Sequence, residues 1–270
     1  MSLNEKFESL SYSILPFFVL AAIWEVGAFI AGPSRFPDIA QTFGTVADSL
    51  FKEPIIEAQG GGASGFYPHL LATLCGFAGG LFGGVLVGFV MALVIAQSKN
   101  LSYLIEPALE FFRALPPLLV IPFAILLCKS NGALQGFTVS IYAAFAVCVY
   151  TLNAVRNIAP NYSSLARLLG AGRLRTVLDV QIPAIMPELL GALRVTAALS
   201  LGISVVVEYL AAPQGIGRVM KFAISYSRVD LIMAGVIWVI LIAIAVDFLI
   251  SIIFDYILRW SRRGRVGTLQ

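Results

Sequence analysis

Charge is what this sequence has least of. Asp, Glu, Lys and Arg make up 12% of its 270 residues, against 59% hydrophobic residues and a mean hydropathy of +0.90. A soluble domain carries about 25% charged residues. The shortfall leaves too little charge to cover a water-facing surface of this size and implies that much of the surface faces lipid. The net charge is only +3, with no dense basic patch interleaved with aromatics, which argues against a nucleic-acid partner. Histidine occurs once and cysteine three times, at Cys75, Cys128 and Cys148, without CxxC spacing. No metal site or disulfide framework is expected, and the thiols read as buried and inert. There is no GxxxxGK[ST] phosphate loop. The N-terminus carries Glu5, Lys6 and Glu8, and the apolar run after it is too long for a signal peptide and lacks a small-residue cleavage site. It reads as a retained first span.

Apolar length, by contrast, is abundant. A spanning helix needs about 20 apolar residues. Six stretches qualify: 14–31, 70–96, 109–128, 134–152, 189–211 and 231–258. The expected fold class is an all-α integral membrane protein, a single transmembrane domain over 1–270 with about six spanning helices. Pro116 and Pro117 lie inside the third stretch and should break or kink it.

The connections differ in character. Residues 33–65 are long and mixed, and end in the flexible run Gly60, Gly61, Gly62, Ala63, Ser64, Gly65. Within them Ile39, Phe43, Val46 and Leu50 fall at helical spacing, which suggests an amphipathic helix at the membrane interface. Residues 213–230 form a second interfacial segment. Residues 156–187 form a polar loop that reads as a protruding helical hairpin: a helix over 161–169, capped by Asn161 or Ser163 and ended by Gly170, then a helix over 173–180, with Pro183 stopping the chain before it re-enters the membrane. Six spans put both termini on one side. That side holds ten Lys and Arg (Lys6, Lys99, Arg156, Arg167, Arg173, Arg175, Arg259, Arg262, Arg263, Arg265) and the other holds six (Arg35, Lys52, Lys129, Arg218, Lys221, Arg228). The bias favours cytoplasmic termini and a cytoplasmic 156–187 loop, with 33–65 on the periplasmic side.

Two periodic patterns stand out in the spans. Gly76, Gly80, Gly84 and Gly88 recur every fourth residue, which lets another helix approach closely where lipid offers no hydrophobic drive. Thr196, Ser200, Ser204 and Glu208 also recur every fourth residue and form one polar face ending in a carboxylate. An intramembrane ionisable group is costly and marks function by default, so this face is read as lining a translocation pathway. The competing reading has the hydroxyls bonding carbonyls four residues back and Glu208 at the outer interface, paired with a base such as Lys221. Glu106 and Glu110 read as the start of the third span, Asp247 as a possible partner of Arg194, and His69 as an interfacial residue.

The 156–187 loop resembles the EAA loop of permease subunits in binding-protein-dependent ABC importers. That motif runs Glu, Ala, Ala, three residues, Gly, nine residues, then Ile, any residue, Leu, Pro. Here Ala166, Gly170, Val180, Ile182 and Pro183 match in register, while Ser164 and Leu165 depart from the usual Glu and Ala. Arg113-Ala-Leu-Pro-Pro117 with Ile121-Pro122, Gly191-Ala-Leu-Arg194, Glu208, and Gly215-Ile-Gly217 are similar to the nitrate, sulfonate and taurine branch of that family. The resemblance implies the type I ABC importer permease fold. Two permeases, usually identical, would form the pathway, and two separate ATPase subunits would grip the loop at Ser164, Leu165, Ala166, Arg167, Gly170, Ala171, Gly172, Ile182 and Pro183. A periplasmic or lipid-anchored binding protein would deliver a small anion or zwitterion such as a sulfonate, taurine or nitrate. ATP and Mg would be bound by the partner subunit, with no cofactor in this chain, which is then not itself an enzyme. The implied location is the bacterial inner membrane. The alternative, an ATP-independent carrier or channel, would predict inverted repeats, and none is visible.

Overall fold

Apolar runs of this length leave the backbone no water to bond, so they fold as helices that satisfy their own N–H and C=O groups. A computed structural model of the chain describes residues 3–58, 65–128 and 131–259, and its regular elements there are all helical. In order they are α1 (Leu3–Ala31), α2 (Ile39–Asp48), α3 (Pro54–Ala58), α4 (Phe66–Ala96), α5 (Lys99–Ala114), α6 (Val120–Leu127), α7 (Asn131–Asn157), α8 (Pro160–Leu168), α9 (Arg173–Arg175), α10 (Ile182–Leu210), α11 (Ile216–Ser225) and α12 (Val229–Ile257). The run 60–64, Lys129 and the basic residues Arg262, Arg263 and Arg265 lie outside the described residues. Long apolar stretches of α1, α4, α7, α10 and α12 are each sufficient to cross a bilayer, and α5 with α6 makes a sixth crossing when the bent pair is taken as one span.

The third span is broken at Pro116 and Pro117 as expected, but it starts earlier than residue 109. Helix α5 already starts at Lys99, behind an N-cap at Ser98 whose Oγ accepts from Leu101 N–H at 3.4 Å. A residue preceding proline is disfavoured in the α region. Leu115 and Pro116 each precede a proline, and both are extended, with ψ of 127° and 126°. A 3₁₀ turn over Pro117–Leu119 then starts α6, at 87° to α5. Glu106 and Glu110 therefore sit well inside α5 rather than at a span's first turn. Glu106 accepts hydrogen bonds from Ser102 Oγ and from the Arg156 guanidinium.

Helix α7 occupies the centre, packed against α4, α10 and the α5–α6 elbow. Helix α1 stands aside, touching α2, with Phe17, Phe18, Phe29 and Ile30 exposed. In water such a face would be an aggregation patch; in a bilayer it meets hydrocarbon. Only Cys148 of the three thiols is buried, while Cys128 is half-buried and Cys75 exposed, because a run of apolar residues carries no information about which face turns inward.

The two segments expected to lie on the membrane surface are packed onto the bundle. In α2, Thr42 and Val46 are buried while Phe43 is 53% exposed, and the helix rests on α12, whose own apolar side substitutes for lipid. Asp38 caps α2 by accepting from Gln41 N–H at 2.7 Å, and Glu25 reaches from α1 to accept from Ile39 N–H at 3.2 Å. Asp38→Ala should cost about 1 kcal/mol, seen as a lower thermal midpoint of the detergent-purified protein, with Asp38→Asn close to wild type. In the 213–230 segment, α11 buries Ile216, Gly217, Val219 and Ala223 against α10 and α12. Arg228 donates to both carboxylate oxygens of Asp230, at 2.8 and 2.7 Å, and lies 3.6 Å from Glu53, tying the 53–58 segment to the foot of α12.

Candidate functional site

Helix α8 begins at Pro160 behind Ala159, without the side-chain cap expected from Asn161 or Ser163; proline at a first helical position comes with its φ already set. Its end is a glycine stop. Gly170 adopts φ +83°, Gly170 N–H donates to the Arg167 carbonyl at 3.0 Å, and Ala171 N–H donates to the Ala166 carbonyl at 2.9 Å. Pro183 does not stop the chain. Residues Arg173–Leu210 run on as one helical stretch, in which a π-helical segment over Thr176–Gln181 precedes the proline. The wider π turn shifts the hydrogen-bond ladder past the missing N–H and relieves the clash of the ring with the preceding turn.

This geometry turns one face of the loop outward. Leu165, Leu168, Leu169 and Leu174 are 56%, 84%, 79% and 72% exposed, and Ser164, Arg167, Gly170 and Gly172 are exposed beside them. Ala166 turns inward, while Ala171, Ile182 and Pro183 are half-buried. The base of the loop is bonded to the spans. Gln97 Nε2 donates to Gln181 Oε1 at 3.0 Å and Asn157 Nδ2 to Glu188 Oε1 at 3.2 Å, and Arg156 holds Glu106 and Ser102. These bonds tie the end of α4 to the loop, and the end of α7 to α5 and to α10.

The glycine stripe of α4 lies against α7. A Cβ on Gly80 would come within 2.7 Å of Val139 Cβ, and one on Gly84 within 2.7 Å of Ala143 Cβ. One on Gly76 would collide with the Gln135 side chain, and one on Gly88 with the Ala144 carbonyl. Ser140 Oγ donates to the Gly80 carbonyl at 2.8 Å across the same seam.

The polar face of α10 sits elsewhere than expected. Thr196, Ser200 and Ser204 are 0% exposed and Glu208 1%, so the face is turned into the protomer and not toward a lumen. The physical reason is that α4 and α7 offer polar partners that lipid lacks. Glu208 accepts from Gln135 Nε2 at 2.7 Å and from Gly217 N–H at 3.0 Å, and lies 3.0 Å from Thr73 Oγ1. It is not paired with Lys221 across the interface. Gln135 Nε2 also contacts Ser204 Oγ. Thr196 Oγ1 and Ser200 Oγ have no hydrogen-bond partner among the described residues, so they do not bond back to their own helix. Arg194, on another side of α10, pairs with Asp247 of α12 at 3.1 Å.

Glu208 belongs to a clamp on the start of α11. The first N–H groups of a helix lack partners within it. Here three are met by side chains from other elements: Gly215 N–H by His69 Nδ1 at 3.0 Å, Ile216 N–H by Thr73 Oγ1 at 3.1 Å, and Gly217 N–H by Glu208. His69 is accordingly buried, at 2% exposure. Gly215 has φ +114°, and a Cβ there would strike the Glu208 carboxyl group. The sequence contains the signal for this clamp in Gly215-Ile-Gly217 and Glu208, but His69, Thr73 and Gln135 carry none. Glu208→Gln would turn amide hydrogens toward a ring of donors and should cost about 2 kcal/mol, read as a lower thermal midpoint without loss of membrane insertion.

Residues 84–263 match the model of the family described as binding-protein-dependent transport system inner membrane component. The chain is 25% identical over 239 residues to the bicarbonate transport system permease protein CmpB of Synechococcus elongatus, covering 88% of this chain and 85% of that one. It is 27% identical over 248 residues to the putative aliphatic sulfonates transport permease protein SsuC of Bacillus subtilis, covering 90% and 84%. It is also similar to the taurine transport system permease protein TauC of Escherichia coli, at 26% over 182 residues, covering 67% and 66%. Its fold is that of a chain of the MetNI methionine ABC transporter in an inward-facing conformation, with a TM-score of 0.57 over 72% of this chain and 96% of that one at 19% identity. With five apolar crossings and a bent sixth, this chain belongs to the family of inner-membrane permease components of binding-protein-dependent ABC transport systems.

Proposed function

We propose that two copies of this chain form the translocation pathway of an ATP-driven importer and that residues 156–187 are its cytoplasmic coupling loop. The observation that carries the reading is the exposed knob of α8, with Leu165, Leu168 and Leu169 outward and a left-handed Gly170 behind them, on a loop bonded at its base to α4, α5 and α10. An apolar knob on the basic side of the membrane fits a groove on a soluble subunit. ATP and Mg belong to that subunit, and a binding protein supplies substrate on the opposite side. The lysine and arginine bias supports cytoplasmic termini. The names of the relatives, which include nitrate import and taurine transport, support a small anion or zwitterion as substrate.

The test is purification of the tagged chain from its native membrane in mild detergent, followed by mass spectrometry. A stoichiometric ATP-binding subunit is expected. Its absence, under conditions where other ABC complexes survive, would favour an ATP-independent carrier.

A further inference from the structure

A cavity of about 340 Å³ opens where α4 gives way to α5, lined by Lys99 at the start of α5, Arg156 at the end of α7 and Gln181 of the 156–187 loop. Helices α4 and α7 are both long enough to cross a bilayer and end at Ala96 and Asn157, so the cavity lies at the membrane boundary. Tyr103, which also lines it, is 79% exposed, and Leu104 beside it is 76% exposed. At the mouth of the cavity α5 therefore turns an apolar side outward.

The chemistry of this cavity is one-sided. It has two cations, and none of its described lining residues is a carboxylate. Glu106 offsets Arg156 from behind, but its bond and the 2.8 Å bond to Ser102 Oγ both leave one terminal nitrogen of the guanidinium. The other guanidinium N–H groups are left for a ligand. Lys99 has no ion-pair partner among the described residues. Gln181 Oε1 is taken by Gln97 at 3.0 Å, which leaves the Gln181 amide hydrogens to donate. Ser98 Oγ accepts from Leu101 N–H at 3.4 Å and keeps its own hydrogen. Donors thus converge from α5, α7 and the loop around one uncompensated positive charge. Their complement is a group made of acceptors that carries one negative charge, which describes a phosphodiester. A choline headgroup adds a cation for which the lining has no carboxylate. A free phosphate has the oxygens but no apolar part for Tyr103 and Leu104 to cover.

We propose that this cavity binds the phosphodiester headgroup of an anionic phospholipid, with its acyl chains along the exposed side of α5. Lys99 supplies the charge that selects it over a zwitterionic lipid, as basic residues beside a span attract anionic headgroups. Gln181 belongs to the π-helical segment that leads out of the loop. A headgroup held by Lys99, Arg156 and Gln181 ties α5, α7 and the loop together and braces the base of the leucine knob. The site needs only the ends of two spans and is independent of the importer reading.

The test is native mass spectrometry of the full chain, purified in detergent with whatever subunits accompany it and titrated with phosphatidylglycerol or with phosphatidylcholine of the same acyl chains. Retained phosphatidylglycerol is expected, at about fivefold higher affinity than phosphatidylcholine, and excess inorganic phosphate should not displace it. Lys99 is exposed, so Lys99→Gln should fold and lose the preference, while Lys99→Arg should keep it. Lys221→Gln, at an exposed lysine of α11, should change nothing and so controls for general attraction to anionic lipid. Equal retention of the two lipids, an unchanged preference in Lys99→Gln, or its loss in Lys99→Arg as well would overturn the proposal. Displacement by inorganic phosphate would overturn the lipid assignment and mark a site for free phosphate instead.

Discussion

Gly84→Val will stop the permease from assembling, and Gly84→Ala will weaken it in the same direction. The reason lies in what faces the glycine. A Cβ at this position comes within 2.7 Å of Ala143 Cβ and 3.0 Å of Ser140 Cα, and closer still to the Ser140 carbonyl. These are backbone or near-backbone atoms of α7, which cannot swing aside as a long side chain would. The two helices must separate along a seam that also includes Gly80 and Gly88. In lipid, close van der Waals contact is what holds such a pair together, and its loss has no hydrophobic compensation. Overpacking a tight site costs about 1–3 kcal/mol, and valine at this contact should reach the upper end. The measurement is the yield and thermal midpoint of purified protein for Gly79→Ala and Gly84→Val side by side. Gly79 lies on the same helix with nothing within 4 Å of its would-be Cβ and should behave as wild type. Equal loss in both would show that the seam is not what matters.

Gly170→Val should leave the permease inserted and folded but uncouple it. Gly170 holds φ +83°, which a β-branched residue reaches only with strain. Its neighbourhood is open, with nothing within 4 Å of where a Cβ would stand, so no packing is lost. The strain is of order 1–3 kcal/mol and is local. It is relieved by unwinding the end of α8, which moves Leu168 and Leu169 off the exposed knob. Uptake and copurification of the ATP-binding subunit should fall together by more than tenfold, while yield in the membrane stays the same. Leu168→Asp, at an 84% exposed position, should reproduce the loss without touching the backbone. Normal uptake in both variants would remove the coupling role from this loop.

The contrast between these sites shows what kind of information a sequence carries. The spans are legible because length and apolarity need no partner to be read: about 20 apolar residues cross a bilayer whatever surrounds them. The helical hairpin over 156–187 is legible because Gly170 ends α8 through its local backbone conformation. The glycine interval of α4 announces a close approach but not its partner. The four-residue polar repeat of α10 is visible too, yet it faces the protomer interior and not the lumen its polarity suggests. A helix has as many faces as neighbours, and which one turns inward is decided by who offers a hydrogen bond.

The sequence by itself therefore determined the class of protein, the number of crossings to within the broken third span, and the 164–183 motif that resembles an EAA loop. Those features rest on composition, local propensity and short-range spacing. Only the tertiary structure decided that Glu208 clamps the start of α11 with His69 and Thr73, that Arg173–Leu210 continues through Pro183, and that Lys99, Arg156 and Gln181 line one cavity. Each of these joins residues distant in the chain or balances a local cost against a distant contact. The partners of Glu208, at positions 73, 135 and 217, come from three different helices. No period in the sequence links them, because what selected them was the shared need of buried polar groups to find one another away from water.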